Sequence, residues 1–143
     1  MAVRTKVLFL CIGNACRSQM AEAIARHIAA DVIEASSAGL VPFGEIPGTT
    51  LAVLRERGIS IDGQTSKPLR PEDIADADIV INMTGRPGAA IFTEQAARIE
   101  DWDVGDPYGF NLAVYREICD QIEMRVEELA QRLREGIDSP DAA

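Results

Sequence analysis

Short apolar runs alternate along the chain with amphipathic segments. Residues 7–11 form a continuous apolar run, which is typical of a strand buried on both faces of a parallel sheet. Apolar residues then recur at spacings of three and four over residues 17–30, which predicts an amphipathic helix. A second run rich in strand formers, residues 32–37, predicts a second strand. These three segments together predict a β-α-β unit.

The same alternation continues through the rest of the chain. Further helices are predicted over residues 50–57, from Pro71 onward, over 89–97 and from Tyr115 to Gly136, and further strands over 78–83 and 99–104. Strands alternating with helices predict one α/β domain of three layers, in which a parallel sheet of about four strands is flanked by helices. We expect this single domain to span residues 1–137 and residues 138–143 to form a frayed tail.

Composition narrows the function classes. The chain has 143 residues and a formal net charge of −9, which argues against nucleic acid and anionic membrane surfaces as partners. It contains no apolar run near the ~18 residues that span a bilayer. Three cysteines in a chain rich in hydrophobic residues indicate reduced thiols and a cytoplasmic protein. The only histidine, His27, falls on a predicted helix, and no cysteine–histidine pair has the spacing of metal ligands, so a zinc site is not expected.

The segment between the first predicted strand and the first predicted helix carries the candidate chemistry. Ligands of open α/β sheets bind at the carboxyl ends of strands, and this segment reads Cys-Ile-Gly-Asn-Ala-Cys-Arg-Ser. Glycine and asparagine tolerate the left-handed backbone of a tight loop, and arginine can make two parallel hydrogen bonds to an oxyanion. The sequence therefore predicts an anion-binding loop formed by Ile12, Gly13, Asn14, Ala15, Cys16, Arg17 and Ser18.

Cys11, at the base of this loop, is the candidate nucleophile. Loop N–H groups, the helix N-terminus and Arg17 all favour its thiolate, which can attack phosphorus and form a covalent phospho-cysteine. Ser18 can cap the helix or donate a hydrogen bond to the thiolate. The spacing of the cysteine and the arginine is a weak signal by itself, because Cys119 and Arg125 share it inside a predicted helix that cannot enclose an anion.

Asp106 is the best candidate for proton transfer. Phosphoryl transfer through cysteine needs an acid for the leaving oxygen and then a base for water. Asp106 begins the turn Asp-Pro-Tyr-Gly, in which Pro107 biases the preceding residue towards an extended backbone. Tyr108 can flank the mouth of the site and stack on an aromatic substrate, and a tyrosine packed within the turn is an equal alternative.

The run Val-Leu-Phe-Leu-Cys-Ile-Gly-Asn-Ala-Cys-Arg-Ser-Gln-Met-Ala-Glu-Ala resembles the signature of the low-molecular-weight protein tyrosine phosphatases and the related arsenate reductases. The segments Ser-Ser-Ala-Gly at 36–39, Ser-Lys-Pro-Leu at 66–69 and Asp-Pro-Tyr at 106–108 fall in family order, so the resemblance covers most of the chain. It implies hydrolysis of phosphorylated proteins or small phosphomonoesters, without a cofactor. It also implies Cys11 as nucleophile, Arg17 as phosphate clamp and Asp106 as general acid and base.

The resemblance further implies several supporting residues. Asn14 and Ser18 are expected to support the loop and the thiolate, and Ser37 to brace the loop from a neighbouring strand. Cys16 is expected to form a reversible disulfide with Cys11 that protects the nucleophile from further oxidation. Packing within the loop is the alternative for Cys16.

Three alternatives to a tyrosine phosphatase remain open. An arsenate reductase using Cys11 and an external thiol is favoured by Gln19, where the phosphatases commonly have proline, and by Gln-Thr-Ser at 64–66. Thioredoxin-coupled reductases need two further cysteines after the third strand, and residues 82–92 contain none. A protein-arginine phosphatase is a further alternative, because that branch resembles this sequence in the loop and in the Asp-Pro-Tyr-Gly turn. It commonly has threonine where this chain has Ala15. An anion-binding module without turnover is disfavoured because nucleophile, clamp and candidate acid are all present.

Overall fold

The protein is described here by a computed structural model that covers residues 4–92 and 98–136. Strands and helices alternate along the chain, as the hydrophobic pattern predicts. Their order is β1 (Thr5–Cys11), α1 (Arg17–Ile28), β2 (Ile33–Gly39), α2 (Gly48–Glu56), α3 (Pro71–Asp76), β3 (Ile79–Asn82), α4 (Gly88–Ile91), β4 (Ile99–Asp101) and α5 (Leu112–Arg134).

The four strands form one parallel sheet in the order β2-β1-β3-β4. The chain runs from β1 to its neighbour on one side, β2, and then crosses to β3 on the other side. The carboxyl end of β1 is therefore the point where the strand order reverses, which is where open parallel sheets bind ligands. In the register of the sheet, Cys11 at this end lies beside Gly39 of β2.

Side chains of β1 alternate between two hydrophobic clusters, one on each face of the sheet. Val7, Phe9 and Cys11 face the larger cluster, which includes the buried faces of α1 and α5. Leu8 and Leu10 face the smaller cluster, to which α3 contributes. Burial on both faces explains the continuous apolar run of the first strand. The predicted three-layer α/β fold is confirmed.

The bounds of several predicted elements differ from those observed, most clearly at β4 and α4. The prediction of a strand over residues 99–104 is wrong beyond Asp101, because β3 ends at Asn82, the partner of that residue. The helix predicted over residues 89–97 is observed as α4, Gly88–Ile91, and its positions 93–97 lie outside the described residues. The tail predicted over 138–143 also lies outside them. Within residues 4–92 and 98–136, no helix has the length and apolar character needed to cross a membrane.

Candidate active site

The loop between β1 and α1 turns its carbonyl groups away from its centre. The first three carbonyls accept hydrogen bonds from backbone N–H groups of the segment after β2. These pairs are Leu40 to Cys11 (3.2 Å), Val41 to Ile12 (2.8 Å) and Phe43 to Gly13 (2.9 Å). Because a peptide group is planar, a carbonyl held outward directs the N–H of the following residue inward.

Side chains hold the next carbonyls in the same way. Gln19 Nε2 donates to the Asn14 carbonyl at 3.0 Å, and Thr50 Oγ1 donates to the Ala15 carbonyl at 3.1 Å. Ser66 Oγ adds a second bond to the Gly13 carbonyl at 3.2 Å. Within the described part of the chain, the N–H groups of residues 13–16 donate to no other residue. The loop thus presents a ring of free donors, as a tetrahedral oxyanion requires.

Asn14 fixes the shape of this loop. It is fully buried and has a left-handed backbone, with φ of 48°. Its side chain accepts from the backbone N–H of Lys67 at 2.8 Å and donates to Ser18 Oγ at 2.7 Å. Gly39 of β2 packs against the same region, where a Cβ atom would lie 2.7 Å from the Ile12 carbonyl oxygen. Only glycine allows this close approach.

The thiol of Cys11 lies beneath the loop, next to Ser18. The distance from Cys11 Sγ to Ser18 Oγ is 2.9 Å, and both side chains are buried. The alternative that Ser18 caps α1 is wrong, because the N-cap position belongs to Cys16 and has no side-chain cap. The hydroxyl is therefore free to bond to the sulfur.

Arg17 and Asp106 face each other across the site. Arg17 is buried, and its Nη1 donates to two backbone carbonyls. One belongs to Met83, which directly follows β3, and the other to Val104, which lies in the segment after β4. Its Nη2 lies 3.7 Å from Asp106 Oδ2. The Asp106 side chain is 51% exposed, and its other oxygen accepts from the Tyr108 N–H at 3.1 Å. One side of this ion pair is thus rigidly held, while the carboxylate lies at the surface.

Two aromatic side chains form the mouth of the pocket. Its lining comprises Cys11, Ile12, Gly13, Ala15, Cys16, Arg17, Phe43, Asp106 and Tyr108. The rings of Phe43 and Tyr108 meet edge to face, with centroids 4.8 Å apart, and both remain about half exposed. A Cβ atom on Gly13 would come within 2.9 Å of the Phe43 ring. Glycine at this position therefore lets the aromatic ring lie over the loop.

The structure places Ser37 and Cys16 behind the loop. The Ser37 hydroxyl donates to Glu22 Oε1 of α1, so any bracing by Ser37 acts through that helix, and Gly39 makes the direct contact. Cys16 Sγ lies 3.5 Å from the Tyr115 hydroxyl. Burial raises the pKa of the Cys16 thiol and raises that of Tyr115 to about 12. Cys16 is therefore a neutral thiol near pH 7.

Sequence reasoning missed three contributors to the site: Phe43 at the mouth, and Gln19 and Thr50 behind the loop. Gln19 carried a signal, since it is a polar residue that directly follows the predicted loop. Phe43 lies in a glycine- and proline-rich segment after β2, at the same edge of the sheet. Among residues 4–92 and 98–136, no cluster of three or more histidine, cysteine or acidic side chains could hold a metal ion.

A thiol under a ring of inward N–H groups, at the switch point of a parallel sheet, defines a cysteine-dependent enzyme of the phosphatase class. Comparison with known proteins gives the particular family. Residues 6–139 match the low molecular weight phosphotyrosine protein phosphatase family, and the chain belongs to it.

Relatives within the family have different named activities. A glutaredoxin arsenate reductase from Synechocystis sp. is 38% identical, over 90% of this chain and 98% of its own length. A low molecular weight protein-tyrosine-phosphatase from Bacillus subtilis is 34% identical, over 86% and 92%. The structure of an arginine phosphatase from Geobacillus stearothermophilus superposes with a TM-score of 0.84 at 31% identity, covering 92% of this chain and 94% of that one. The predicted family and enzyme class are confirmed.

Proposed function

We propose that the chain hydrolyses phosphomonoesters, with phosphotyrosine in proteins as its substrate class, through a phospho-Cys11 intermediate. The observation that carries this proposal is one pocket lined by the Cys11 thiol, the Arg17 guanidinium, the Asp106 carboxyl and two half-exposed aromatic rings. Reduced Cys11 is needed for this chemistry, and all three cysteines are free, which supports a reducing compartment such as the cytoplasm.

Binding begins with the phosphoryl oxygens. The inward N–H groups of residues 13–16 and the N-terminus of α1 bind these oxygens, and Arg17 pairs with them through its guanidinium. The Met83 and Val104 carbonyls hold that guanidinium in place before substrate arrives. The charge that develops in the transition state thus meets donors that need no reorganisation.

Phosphoryl transfer then proceeds in two displacements. The Cys11 thiolate attacks phosphorus, the bond from phosphorus to the ester oxygen breaks, and protonated Asp106 gives its proton to that oxygen. In the second displacement, Asp106 takes a proton from water, the water oxygen attacks phosphorus, and the bond to Cys11 Sγ breaks. Inorganic phosphate leaves, and Asp106 is protonated again.

The mouth of the pocket supports an aromatic leaving group. Phe43 and Tyr108 present ring edges and faces beside the loop, where the ring of a phosphotyrosine can pack against them. Each ring is about half exposed, so each still has apolar surface to bury on binding. An aliphatic phosphoryl ester or phosphoarginine would make fewer contacts with these two rings, so we rank both below phosphotyrosine as substrates.

Arsenate reduction is a second candidate, favoured by the 38% identity to a glutaredoxin arsenate reductase. Arsenate is a tetrahedral oxyanion, so the same loop can hold it. Residues 82–92 contain no cysteine, and Cys119 is buried on α5. A reductase reaction would therefore need an external thiol to attack the Cys11–arsenic adduct, giving a mixed disulfide and arsenite, with arsenic reduced by two electrons.

Hydrolysis of para-nitrophenyl phosphate by three proteins tests the proposal. We expect the wild type to turn over on the order of 1–10 times per second. Cys11→Ser should abolish turnover, and Asp106→Asn should lower kcat by roughly 10²–10⁴. Cys119→Ser, a change to a buried cysteine outside the pocket, is the matched control and should retain activity.

Two results would overturn the proposed phosphatase function. Undiminished hydrolysis by Cys11→Ser excludes the phospho-cysteine route. Arsenate-dependent oxidation of NADPH through a glutathione and glutaredoxin system, without measurable ester hydrolysis, favours the reductase instead.

A further inference from the structure

Two buried glutamine side chains join the anion-binding loop to the segment that precedes α3. Gln19 is fully buried and Gln64 is 8% exposed. Gln64 Nε2 donates to Gln19 Oε1 at 2.8 Å and to the Gln19 backbone carbonyl at 3.2 Å. Gln19 Nε2 in turn donates to the Asn14 carbonyl and to the Thr65 carbonyl, both at 3.0 Å. We call this arrangement the glutamine pair.

The orientation of both amides follows from their partners. The two groups that Gln19 Nε2 meets are carbonyls, which only accept, so this end of the amide must be the NH₂ group. Gln19 Oε1 then accepts from Gln64, whose NH₂ group must likewise face two acceptors. Reversing either amide would set oxygen against oxygen. The pair therefore has one consistent arrangement, which places a donor on the Asn14 carbonyl.

That donor controls one peptide group of the loop. Among the described residues, Gln19 is the one group that donates to the Asn14 carbonyl. The first two loop carbonyls, of Cys11 and Ile12, are held by backbone N–H groups instead, which no side-chain replacement removes. Because the peptide between Asn14 and Ala15 is planar, an outward Asn14 carbonyl sends the Ala15 N–H into the loop.

Stability of the fold does not by itself account for Gln64. Its Oε1 is buried and, among the described residues, has no hydrogen-bond partner. A buried acceptor without a partner is destabilising, and it offsets part of the stability that Gln64 gains from the two hydrogen bonds that its Nε2 donates. The chain nevertheless has an amide at position 64, and the effect of that amide is to fix the orientation of the Gln19 side chain.

We propose that Gln19 and Gln64 are positioning residues, which aim the Ala15 N–H at an oxygen of the bound phosphoryl group. The proposal rests on the oxyanion site of the proposed function, but not on turnover. Gln19 acts through the Asn14 carbonyl, and Gln64 acts through the side chain of Gln19. Neither side chain lines the pocket, so neither touches the substrate.

Binding of inorganic phosphate to Gln19→Met tests the proposal, because methionine keeps the volume and removes the donor. We expect phosphate to bind about tenfold more weakly, the order of effect of one hydrogen bond to a charged group. In amide NMR, phosphate should shift the Ala15 N–H of the wild type strongly, and this shift should shrink in the variant. The Gly13 N–H, whose peptide is held by Val41, is the internal control and should shift as before.

Gln64→Met is the second variant, since it leaves every atom near the loop in place. It should weaken phosphate binding in the same direction by a smaller factor. Its melting temperature is measured as a check on folding, because the change removes one unpartnered oxygen but leaves Gln19 Oε1 without its donor. Gln121→Met, at an exposed glutamine of α5, controls for the substitution itself.

The proposal is wrong if phosphate affinity and the Ala15 shift stay at wild-type values in whichever of the two variants folds. Loss of both in proportion to a general loss of structure, with the Gly13 shift lost equally, also contradicts it. Since phosphate binding is measured without hydrolysis, an inactive wild type that binds phosphate in this Gln19-dependent way would overturn the proposed function and leave this inference standing.

Discussion

Ser18 Oγ and Cys11 Sγ are hydrogen-bonded to each other. The two atoms lie 2.9 Å apart, and Asn14 Nδ2 donates to the same serine oxygen at 2.7 Å. That amide must be a donor, because Asn14 Oδ1 accepts from the Lys67 N–H. When Cys11 is a thiolate, its sulfur can only accept, so the serine hydroxyl donates to Cys11 while its oxygen accepts from the amide. The chain of donors from Lys67 to Cys11 stabilises negative charge on the sulfur.

Ser18→Ala should therefore make Cys11 less reactive. A hydrogen bond to a charged group contributes roughly 1.5–3 kcal/mol, so we expect kcat to fall by about 10- to 100-fold. Alkylation of Cys11 by iodoacetamide near neutral pH should slow in parallel. Ser36→Ala, at an exposed serine of β2, is the matched control. Equal alkylation rates in Ser18→Ala and the wild type would show that the serine does not stabilise the thiolate.

The aromatic mouth should discriminate between leaving groups. Tyr108→Ala and Phe43→Leu are expected to raise KM for aryl phosphates by about tenfold, since an aromatic pair contributes roughly 0.5–1.5 kcal/mol beyond its buried area. Inhibition by inorganic phosphate should be unchanged, because neither ring holds the phosphoryl oxygens. Phe110→Ala, an exposed aromatic outside the pocket lining, should change neither quantity. A similar loss with alkyl phosphates would contradict selection by the two rings.

Cys16 should protect the nucleophile from irreversible oxidation. Burial raises the pKa of the Cys16 thiol, so the Cys11 thiolate is the first to attack peroxide and, with one proton from solvent, gives a sulfenic acid and water. The Cys16 thiol then condenses with that acid, forming the disulfide and a second water. Dithiothreitol should restore the activity of peroxide-treated wild type, and much less that of Cys16→Ala. Cys119→Ala should behave as wild type, and equal recovery in all three would contradict the protective role.

Cys119 should make the fold sensitive to alkaline pH. Burial raises the pKa of this thiol from 9.0 to about 11. Between pH 9 and 11 the unfolded chain releases the proton and the folded chain keeps it, so this contribution to stability is present below pH 9 and is lost as pH rises through that interval. The loss over the whole interval amounts to about 3 kcal/mol.

Urea unfolding of the wild type and Cys119→Ala at pH 8 and pH 10.5 measures this effect. Alanine leaves a small cavity, so the variant should be less stable at pH 8. The difference in free energy of unfolding between the two proteins should shrink or reverse at pH 10.5. A difference that is the same at both pH values would mean that the thiol does not titrate as described.

The fold was predictable because its signals are local. A run buried on both faces, such as β1, has to lie inside a parallel sheet, and the helix after it shows its own period of apolar residues. The loop 11–18 was predictable for the same reason, since glycine, asparagine and arginine lie within one short stretch. The limits of β4 could not be predicted from local sequence, because they depend on where its partner strand β3 ends.

The residues that shape the loop from outside could not be read from spacing. Thr50 lies 35 positions from the carbonyl it holds, and Gln64 lies 45 positions from Gln19. Both contacts exist only once α2 and the segment before α3 have packed against the end of the sheet. Ser37 shows the reverse case, since its position on β2 was anticipated, whereas its partner Glu22 was not.

The outward hydrogen bonds of the loop carbonyls also determine when this site comes into being during folding. Their donors come from the chain after β2, from α2 and from the segment before α3, so no part of the site is complete until these distant segments have assembled. The left-handed backbone of Asn14 is unfavourable in isolation and depends on the same contacts. An isolated segment of β1, the loop and α1 would therefore contain the catalytic sequence but would not bind an anion. Competence at this site is therefore a property of the whole sheet edge and not of the catalytic segment alone.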